Sequence, residues 1–297
     1  MISVIITAFR EPKTIGRAIK SITQQKIAED YEIIVSAPDK ETLDVAKKYS
    51  LKFKQVKLFQ DAGKGKSSAL NQILSLAKGR ILVFTDGDVY VSANSLTRLV
   101  NAFNDEKVGC ATGRPISRED RKTLLGYWSH MLCDAGAHKL RMKRAQAGNF
   151  LECSGYLWAL RNGIIDQFPT DVAEDSIVPA MLWLKNYQVR YVPEAEVYVS
   201  YPKNLRDYIE QKRRTIKSHE KLNKYVKTFP KMKSFGNEVL GAAHLFTYAS
   251  NTKEISYTLL AFPIRFFLWG IAYGQYFFKK EYSDVWKRVE STKEVSP

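Results

Sequence analysis

Residues Ile81–Val91 read ILVFTDGDVYV. Ile81–Thr85 are apolar or β-favouring with no polar face, which suits a strand covered on both sides in a parallel sheet. The run ends directly on Asp86-Gly87-Asp88. Ligands of open α/β sheets settle at the carboxyl ends of strands. Two carboxylates one residue apart at such an end can share a hard divalent cation; Mg²⁺ and Mn²⁺ take oxygen ligands and bring substrate phosphates with them. Gly87 leaves out a side chain where a nucleotide would pass close. A turn after any strand can carry the same three letters, so the surrounding chain has to separate the two readings.

The preceding segments alternate. Ser3–Phe9 reads as a first strand. Pro12 opens a helix, where a missing N–H costs nothing, and Ile15, Ala18, Ile19 and Ile22 follow at helical spacing. Tyr31–Val35 is a second strand, and Pro38-Asp39 starts a helix that turns Leu43, Val45 and Ala46 inward. Phe53–Phe59 alternates apolar and polar residues, a third and more exposed strand. Ser67–Ala77 carries Ala69, Leu70, Ile73, Leu74 and Ala77 on one stripe before Gly79 stops it. Strand–helix alternation at this spacing means βαβ units and a mostly parallel sheet with right-handed crossovers.

Between the second and fourth strands lies Asp61-Ala-Gly-Lys-Gly-Lys-Ser-Ser-Ala-Leu-Asn71. Its glycine spacing is wrong for a P-loop. Gly63 and Gly65 still let backbone approach a ligand, and Lys64 and Lys66 put charge near a helix start that attracts anions. A solvated basic loop is the plainer alternative.

Taken together, a first strand ending in T-A-F, an acidic residue after the second strand, G-K-x-x-A-L-N and a strand closing on D-x-D resemble a family 2 glycosyltransferase. The match in order and spacing covers about residues 1–88. The resemblance implies an α/β GT-A fold: a Rossmann-like, mostly parallel sheet flanked by helices, followed by C-terminal amphipathic, membrane-associated helices. It also implies a nucleotide-diphosphate sugar donor, a Mn²⁺ or Mg²⁺ cofactor and inversion at the transferred sugar. On this sequence it places Thr7, Ala8, Phe9, Glu11 and Asp39 around the nucleotide, Lys66 and Asp86 on the donor, and Asp88 with Asp86 on the metal. One departure stands out. The family's V-D-D-G-S is here Val35-Ser-Ala-Pro-Asp39, and Asp39 reads equally as a helix N-cap.

Later segments extend the likeness. Leu96–Phe103 reads as a helix and Gly109–Pro115 as a short strand. Phe150–Ala159, centred on Ser154-Gly155, resembles the acceptor-side segment. Thr170–Asp175 resembles the family's E-D motif, which makes Asp175 the general base and Glu174 its support. A sugar hydroxyl needs a carboxylate within hydrogen-bond reach to take its proton. By itself, Glu174-Asp175 is also an acidic pair favoured by a helix N-terminus.

Asn204–Lys227 reads as one helix with an apolar and a basic stripe. Within it Gln211-Lys-Arg-Arg214-Thr215 resembles Q-x-x-R-W, so Gln211 and Arg214 join the donor side, with Arg214 able to fork onto phosphate oxygens. Thr215 stands where processive members carry Trp, which implies single-sugar addition. Ala137–Arg144 adds a basic patch, read as an acceptor loop or plain surface. Ile255–Phe278 is 24 residues dense in aromatics, flanked by Lys253, Lys279 and Lys280. A helix of that length reaches about 36 Å, but Pro263 and Arg265 interrupt it. The reading is a broken or in-plane interfacial helix with Trp269 at headgroup level, joined by Glu238–Tyr248. A full span and a buried helix are the alternatives. The implied division is 1–200 catalytic, 201–235 amphipathic helix and 236–297 apolar helical region.

The formal net charge of +15 over 297 residues favours anionic partners. Cys110, Cys133 and Cys153 have neither disulfide-framework nor zinc spacing, and Met1–Phe9 reads as a strand rather than a signal peptide. The expected setting is the cytoplasmic face of a membrane, with a lipid-linked or other membrane-held acceptor and no nucleic-acid partner. Two rivals remain: a nucleotidyltransferase of similar fold, and a non-enzymatic basic membrane- or nucleic-acid-binding protein.

Overall fold

The computed structural model describes residues 1–227, 232, 244–277 and 290–292, with backbone alone at 216–220, 223, 269, 272–277 and 290. Strands β1 (Ile2–Thr7), β2 (Tyr31–Ala37), β3 (Val56–Gln60), β4 (Ile81–Asp86), β5 (Tyr90–Val91), β6 (Val108–Ser117), β7 (Leu157–Arg161) and β8 (Gln188–Val199) form one sheet. Its order is β3-β2-β1-β4-β7-β6-β8-β5. β1 lies between β2 and β4 and runs parallel to both, so Thr7 registers with Ser36 on one side and Asp86 on the other. β7 is antiparallel to β4 and to β6, while β6 and β8 are parallel. This is the expected α/β fold; its sheet, expected to be mostly parallel, is mixed, with β7 and β5 each paired antiparallel to their neighbours.

Alternate residues of the central strands feed two cores, as the pleat requires. Val4, Ile6 and Val83 meet α1 (Ile15–Thr23) through buried Ile15, Ala18, Ile19 and Ile22. Ile5, Leu82 and Phe84 face the other way, where Phe84 stacks on Trp158 at 4.3 Å. Asp39 caps α2 (Lys40–Lys52) by accepting from Thr42 N. Further helices are α3 (Lys66–Leu74), α4 (Ser95–Asn101), α5 (Leu124–Met131), α6 (Lys139–Gln146), α7 (Glu174–Leu184) and α8 (Leu205–Glu220). A π-helical turn, Leu132–His138, joins α5 to α6. The basic 137–144 stretch is therefore mostly helical, and its Arg141 is buried, donating to the Glu152 and Cys153 carbonyls. The three cysteines are buried and free.

The C-terminal helix, Thr252–Phe277, runs unbroken through Pro263. The expected interruption is absent: Pro263 lies inside the helix, on its exposed side. Among the described residues no helix is long and apolar enough to cross a membrane. Lys279, Lys280 and the 238–243 part of the Glu238–Tyr248 expectation lie outside the described residues, as does the Trp269 side chain. The helix is fastened to α5 and α8 by a third apolar cluster that includes Tyr127, Trp128, Met131, Tyr208, Ala261 and Leu268. Trp128 Nε1 donates to the Tyr257 carbonyl at 2.6 Å, and Tyr127 Oη meets Thr258 Oγ1 at 2.7 Å. Arg121 forks onto Glu254 at 2.8 and 2.9 Å.

Arg121 pulls the Glu254 carboxyl from 4.5 down to about 2. Its contribution is complete above about pH 4.5 and fades as pH falls toward 2. Glu254→Gln should lower unfolding free energy at neutral pH by about 1 kcal/mol, since solvent screens the half-exposed arginine. In denaturant melts taken across that acid range, the variant should lose part of the wild type's pH dependence.

Candidate active site

The site is built where β1, β2 and β4 end together. Gly87 N donates to the Thr7 carbonyl at 2.8 Å, folding the chain after β4 against the loop after β1. A Cβ at Gly87 would stand 2.5 Å from Glu11 Oε2 and 2.7 Å from the Ala8 Cβ. Glycine is required here by the packing of Ala8 and Glu11, both buried. Half-buried Phe9 follows, with the Arg10 guanidinium 5.4 Å from its ring centre. Arg10 adopts φ 53, and its N–H donates to Asp39 Oδ2 at 2.7 Å. Asp39 Oδ1 accepts from Thr42 N and Oγ1. Burial opposes ionisation of Asp39, but the Thr42 and Arg10 hydrogen bonds outweigh it and hold the carboxyl below its ordinary range. Asp39 thus acts as an N-cap that also ties down the loop carrying Phe9 and Glu11.

Gly63 and Gly65 take φ 66 and 101, a conformation favoured by glycine, and deliver Lys66 to the first position of α3. Its ammonium lies 2.7 Å from Asp86 Oδ1 and 3.1 Å from Glu174 Oε1. The three side chains are 8%, 15% and 7% exposed. Thr7 Oγ1 donates to the same Asp86 oxygen at 3.3 Å. Burial works against the ammonium, but Asp86, Glu174 and Asp175 together hold it well above its usual range. Burial also pushes the Asp86 carboxyl upward, against the pull of Lys66.

Glu174 and Asp175 open α7, where the helix dipole favours both. The Asp175 carbonyl accepts from Cys153 N at 3.0 Å. Its Oδ2 would lie 3.1 Å from a Cβ at Gly155, so the Ser154-Gly155 turn rests against the carboxylate. The two acidic pairs, 86–88 and 174–175, therefore face one another across Lys66. Asn71, the last residue of the G-K-x-x-A-L-N segment, exchanges two hydrogen bonds with the Phe168 backbone at 2.7 and 2.8 Å. This fixes the approach to α7.

Among the described residues no three His, Cys, Asp or Glu side chains are grouped to hold a metal. The donor set here is half-buried Asp88 beside Asp86, with Asp86 already bonded to Lys66. Mg²⁺-type ions use one or two carboxylates, waters and substrate phosphates rather than an all-protein cage. The residues fit a cation that arrives with a diphosphate.

Arg214 and Gln211 lie on α8, half-exposed. Arg214 is within electrostatic reach of Tyr156, which is also close to Asp88 and Asp86. Burial is the main force that raises the Tyr156 hydroxyl well above its ordinary value. Thr215 Oγ1 bonds back to the Gln211 carbonyl. Two residues of this neighbourhood escaped the sequence reading. Tyr156 was legible only as the aromatic after Ser154-Gly155. Asp61 accepts from Ser36 Oγ and Gly63 N, both at 2.8 Å, and the D-A-G turn spelling was its signal.

Residues 3–168, more than half of the chain, match Glycosyl transferase family 2. The chain belongs to this family. An N-acetylglucosaminyltransferase of Bradyrhizobium diazoefficiens is 25% identical to it over 238 residues, covering 73% of this chain and 48% of the relative. The probable glycosyltransferase YdaM of Bacillus subtilis is 26% identical over 232 residues, covering 74% and 55%. The chain thus spans about half the length of these curated relatives. Mannosyltransferase PcManGT from Pyrobaculum calidifontis, solved with GDP-Man and Mn²⁺, superposes with a TM-score of 0.62 at 19% identity, over 92% of this chain and 80% of that one. S. aureus TarS 1–349 with UDP-GlcNAc gives 0.52 at 15% identity, over 88% and 79%. The likenesses to solved structures establish the GT-A fold of this family 2 chain.

Removing the ammonium leaves buried carboxylates facing each other. Lys66→Met should cost about 3–5 kcal/mol in chemical denaturation, the range for breaking a buried ion pair, whereas Lys66→Arg should retain most of it. Gly87→Ala should cost about 1–3 kcal/mol through overpacking against Ala8 and Glu11, read in the same melts.

Proposed function

We propose that this glycosyltransferase moves a hexosyl or N-acetylhexosaminyl group, with inversion, from a nucleotide-diphosphate donor to an acceptor held at a membrane. The observation that carries the reading is the Lys66 ammonium held at once by Asp86 and Glu174. It joins a donor-side carboxylate to the acceptor-side acidic pair in one water-poor place, as an in-line displacement needs.

In this reading Thr7, Ala8, Phe9, Glu11 and Asp39 shape the nucleotide end. Asp88 and Asp86 would hold Mn²⁺ or Mg²⁺ with the diphosphate, and the ion supplies charge neutralisation for the leaving nucleotide diphosphate. Glu174 is committed to Lys66 and acts as a positioning group. Asp175 takes the proton of the acceptor hydroxyl as its oxygen attacks the anomeric carbon. Gln211 and Arg214 approach the diphosphate from α8. The Mn²⁺ and nucleotide sugars in the structural neighbours, and the N-acetylglucosaminyltransferase relatives, support the choice of donor and cofactor.

The membrane part rests on the C-terminal helix. Ile255, Leu259, Leu260, Phe266 and Phe267 are all exposed on it, on a chain of formal charge +15. A helix with an apolar outer face on a basic protein lies in a lipid interface. The location proposed is the cytoplasmic face, peripheral.

A screen of nucleotide sugars with Mn²⁺ or Mg²⁺ should find one donor that raises the melting temperature and is hydrolysed to nucleoside diphosphate. Asp88→Ala should remove the metal-dependent part. Release of pyrophosphate instead would make the protein a nucleotidyltransferase. Asp175→Asn should lower turnover by about 10²–10⁴-fold with donor binding intact; an unchanged rate would point to an acceptor phosphate, which needs no base. In vesicle flotation, Leu259→Glu with Phe266→Glu should release the protein from anionic liposomes.

A further inference from the structure

Asp88 borders a surface recess, not lined by Lys66, whose lining includes Thr14, Arg17, Tyr90, Arg118 and Ser200. Arg17 comes from α1, Tyr90 from β5, and Arg118 directly follows β6. The Arg17 guanidinium carbon lies 3.9 Å from the Tyr90 ring centre and that of Arg118 4.7 Å from the same centre. Tyr90 itself stacks on Tyr198, its partner in the β5–β8 pair, at 5.1 Å. Arg118 Nη1 donates to Ser200 Oγ at 3.3 Å. Among the described residues neither arginine forms a salt bridge. Two like charges have thus been gathered on one ring, stacked rather than neutralised. The ring orients both planar forks while leaving N–H groups for a ligand. The hydroxyls of Thr14 and Ser200 share the recess.

Asp88 lines the same recess and repels an anion until a cation takes up its charge. The recess therefore adjoins the donor's metal–diphosphate end without coinciding with the Lys66 side. Paired guanidiniums with nearby hydroxyls are the chemistry of phosphate recognition.

We propose that Arg17 and Arg118 form a subsite for a phosphate monoester or diester group carried by the acceptor, separate from the donor diphosphate. The proposal rests on the transferase reading for the word acceptor, but the binding itself does not. The group can belong to a lipid headgroup or to a soluble phosphorylated acceptor.

The test uses the full chain, saturated with UDP or GDP and Mn²⁺, titrated calorimetrically with glycerol phosphate. Wild type should bind it. Arg17→Gln and Arg118→Gln should each weaken binding by about tenfold, the worth of one charge-assisted contact, with nucleotide affinity and melting temperature unchanged. Arg17→Lys should fall between, because it keeps the charge and loses the fork. Equal weakening of nucleotide binding would assign both arginines to the donor site and overturn the proposal. So would glycerol-phosphate binding that ignores the substitutions, or none in the wild type. If phosphate binding depends on the arginines but no nucleotide binds, the subsite stands and the transferase reading falls. A parallel arm measures co-sedimentation with phosphatidylglycerol and phosphatidylcholine vesicles. Arginine-dependent binding to the former alone identifies a lipid headgroup; arginine dependence confined to glycerol phosphate identifies a soluble acceptor. Either supports the subsite.

Discussion

One ammonium group sits where three independently built elements meet. Lys66 belongs to the start of α3, Asp86 to the end of β4 and Glu174 to the start of α7. Burying three charges is costly, and their mutual attraction offsets that cost only when geometry and hydrogen bonding are good. The surroundings supply both. Thr7 adds a hydrogen bond to Asp86, and the glycines before Lys66 deliver the side chain in a conformation other residues resist. Asn71, five positions further along the same helix, fastens the Phe168 backbone. One short helix thereby sets both the cation and the segment that leads to its second carboxylate.

This arrangement divides the labour among four acidic residues. Asp86 and Glu174 both bond Lys66, while Asp88 and Asp175 have different neighbours. Asp88 faces Tyr156 and the Arg17–Tyr90–Arg118 recess. Asp175 rests on the Gly155 turn. Identical chemistry in the four side chains thus becomes four environments, which is how one fold assigns separate roles to like groups.

Local pattern carried much of the fold. The spacing of Ile15, Ala18, Ile19 and Ile22 names the buried face of α1, and the unbroken apolar run Ile81–Thr85 marks a strand with helices on both sides. What local pattern could not supply is anything that depends on a distant partner. The partner of Lys66 in α7 lies over a hundred positions away, and a buried bridging lysine has the same spelling as a solvated one. Gly87 looked like room for a ligand, but Glu11 and Ala8 fill that room. Pro263 carries a break signal, yet the helix continues through it. Arg17, Arg118 and the Tyr90 ring they share come from three separate segments, so no motif could have joined them.

The central place of β1 has a bearing on how the chain acquires its shape. β1 needs one neighbour about thirty residues later and another about eighty later. Loop-closure entropy must be met before such distant pairings return anything. An emerging chain can therefore close β1 on β2 early, but its other edge stays open until Ile81–Asp86 has been made. During that interval Ile2–Thr7 is an unpaired apolar edge, the kind of surface that invites wrong partners. The strand that seals this edge is also the one that ends in Asp86, so covering β1 brings the first carboxylate of the acidic centre into place, while its second waits for α7.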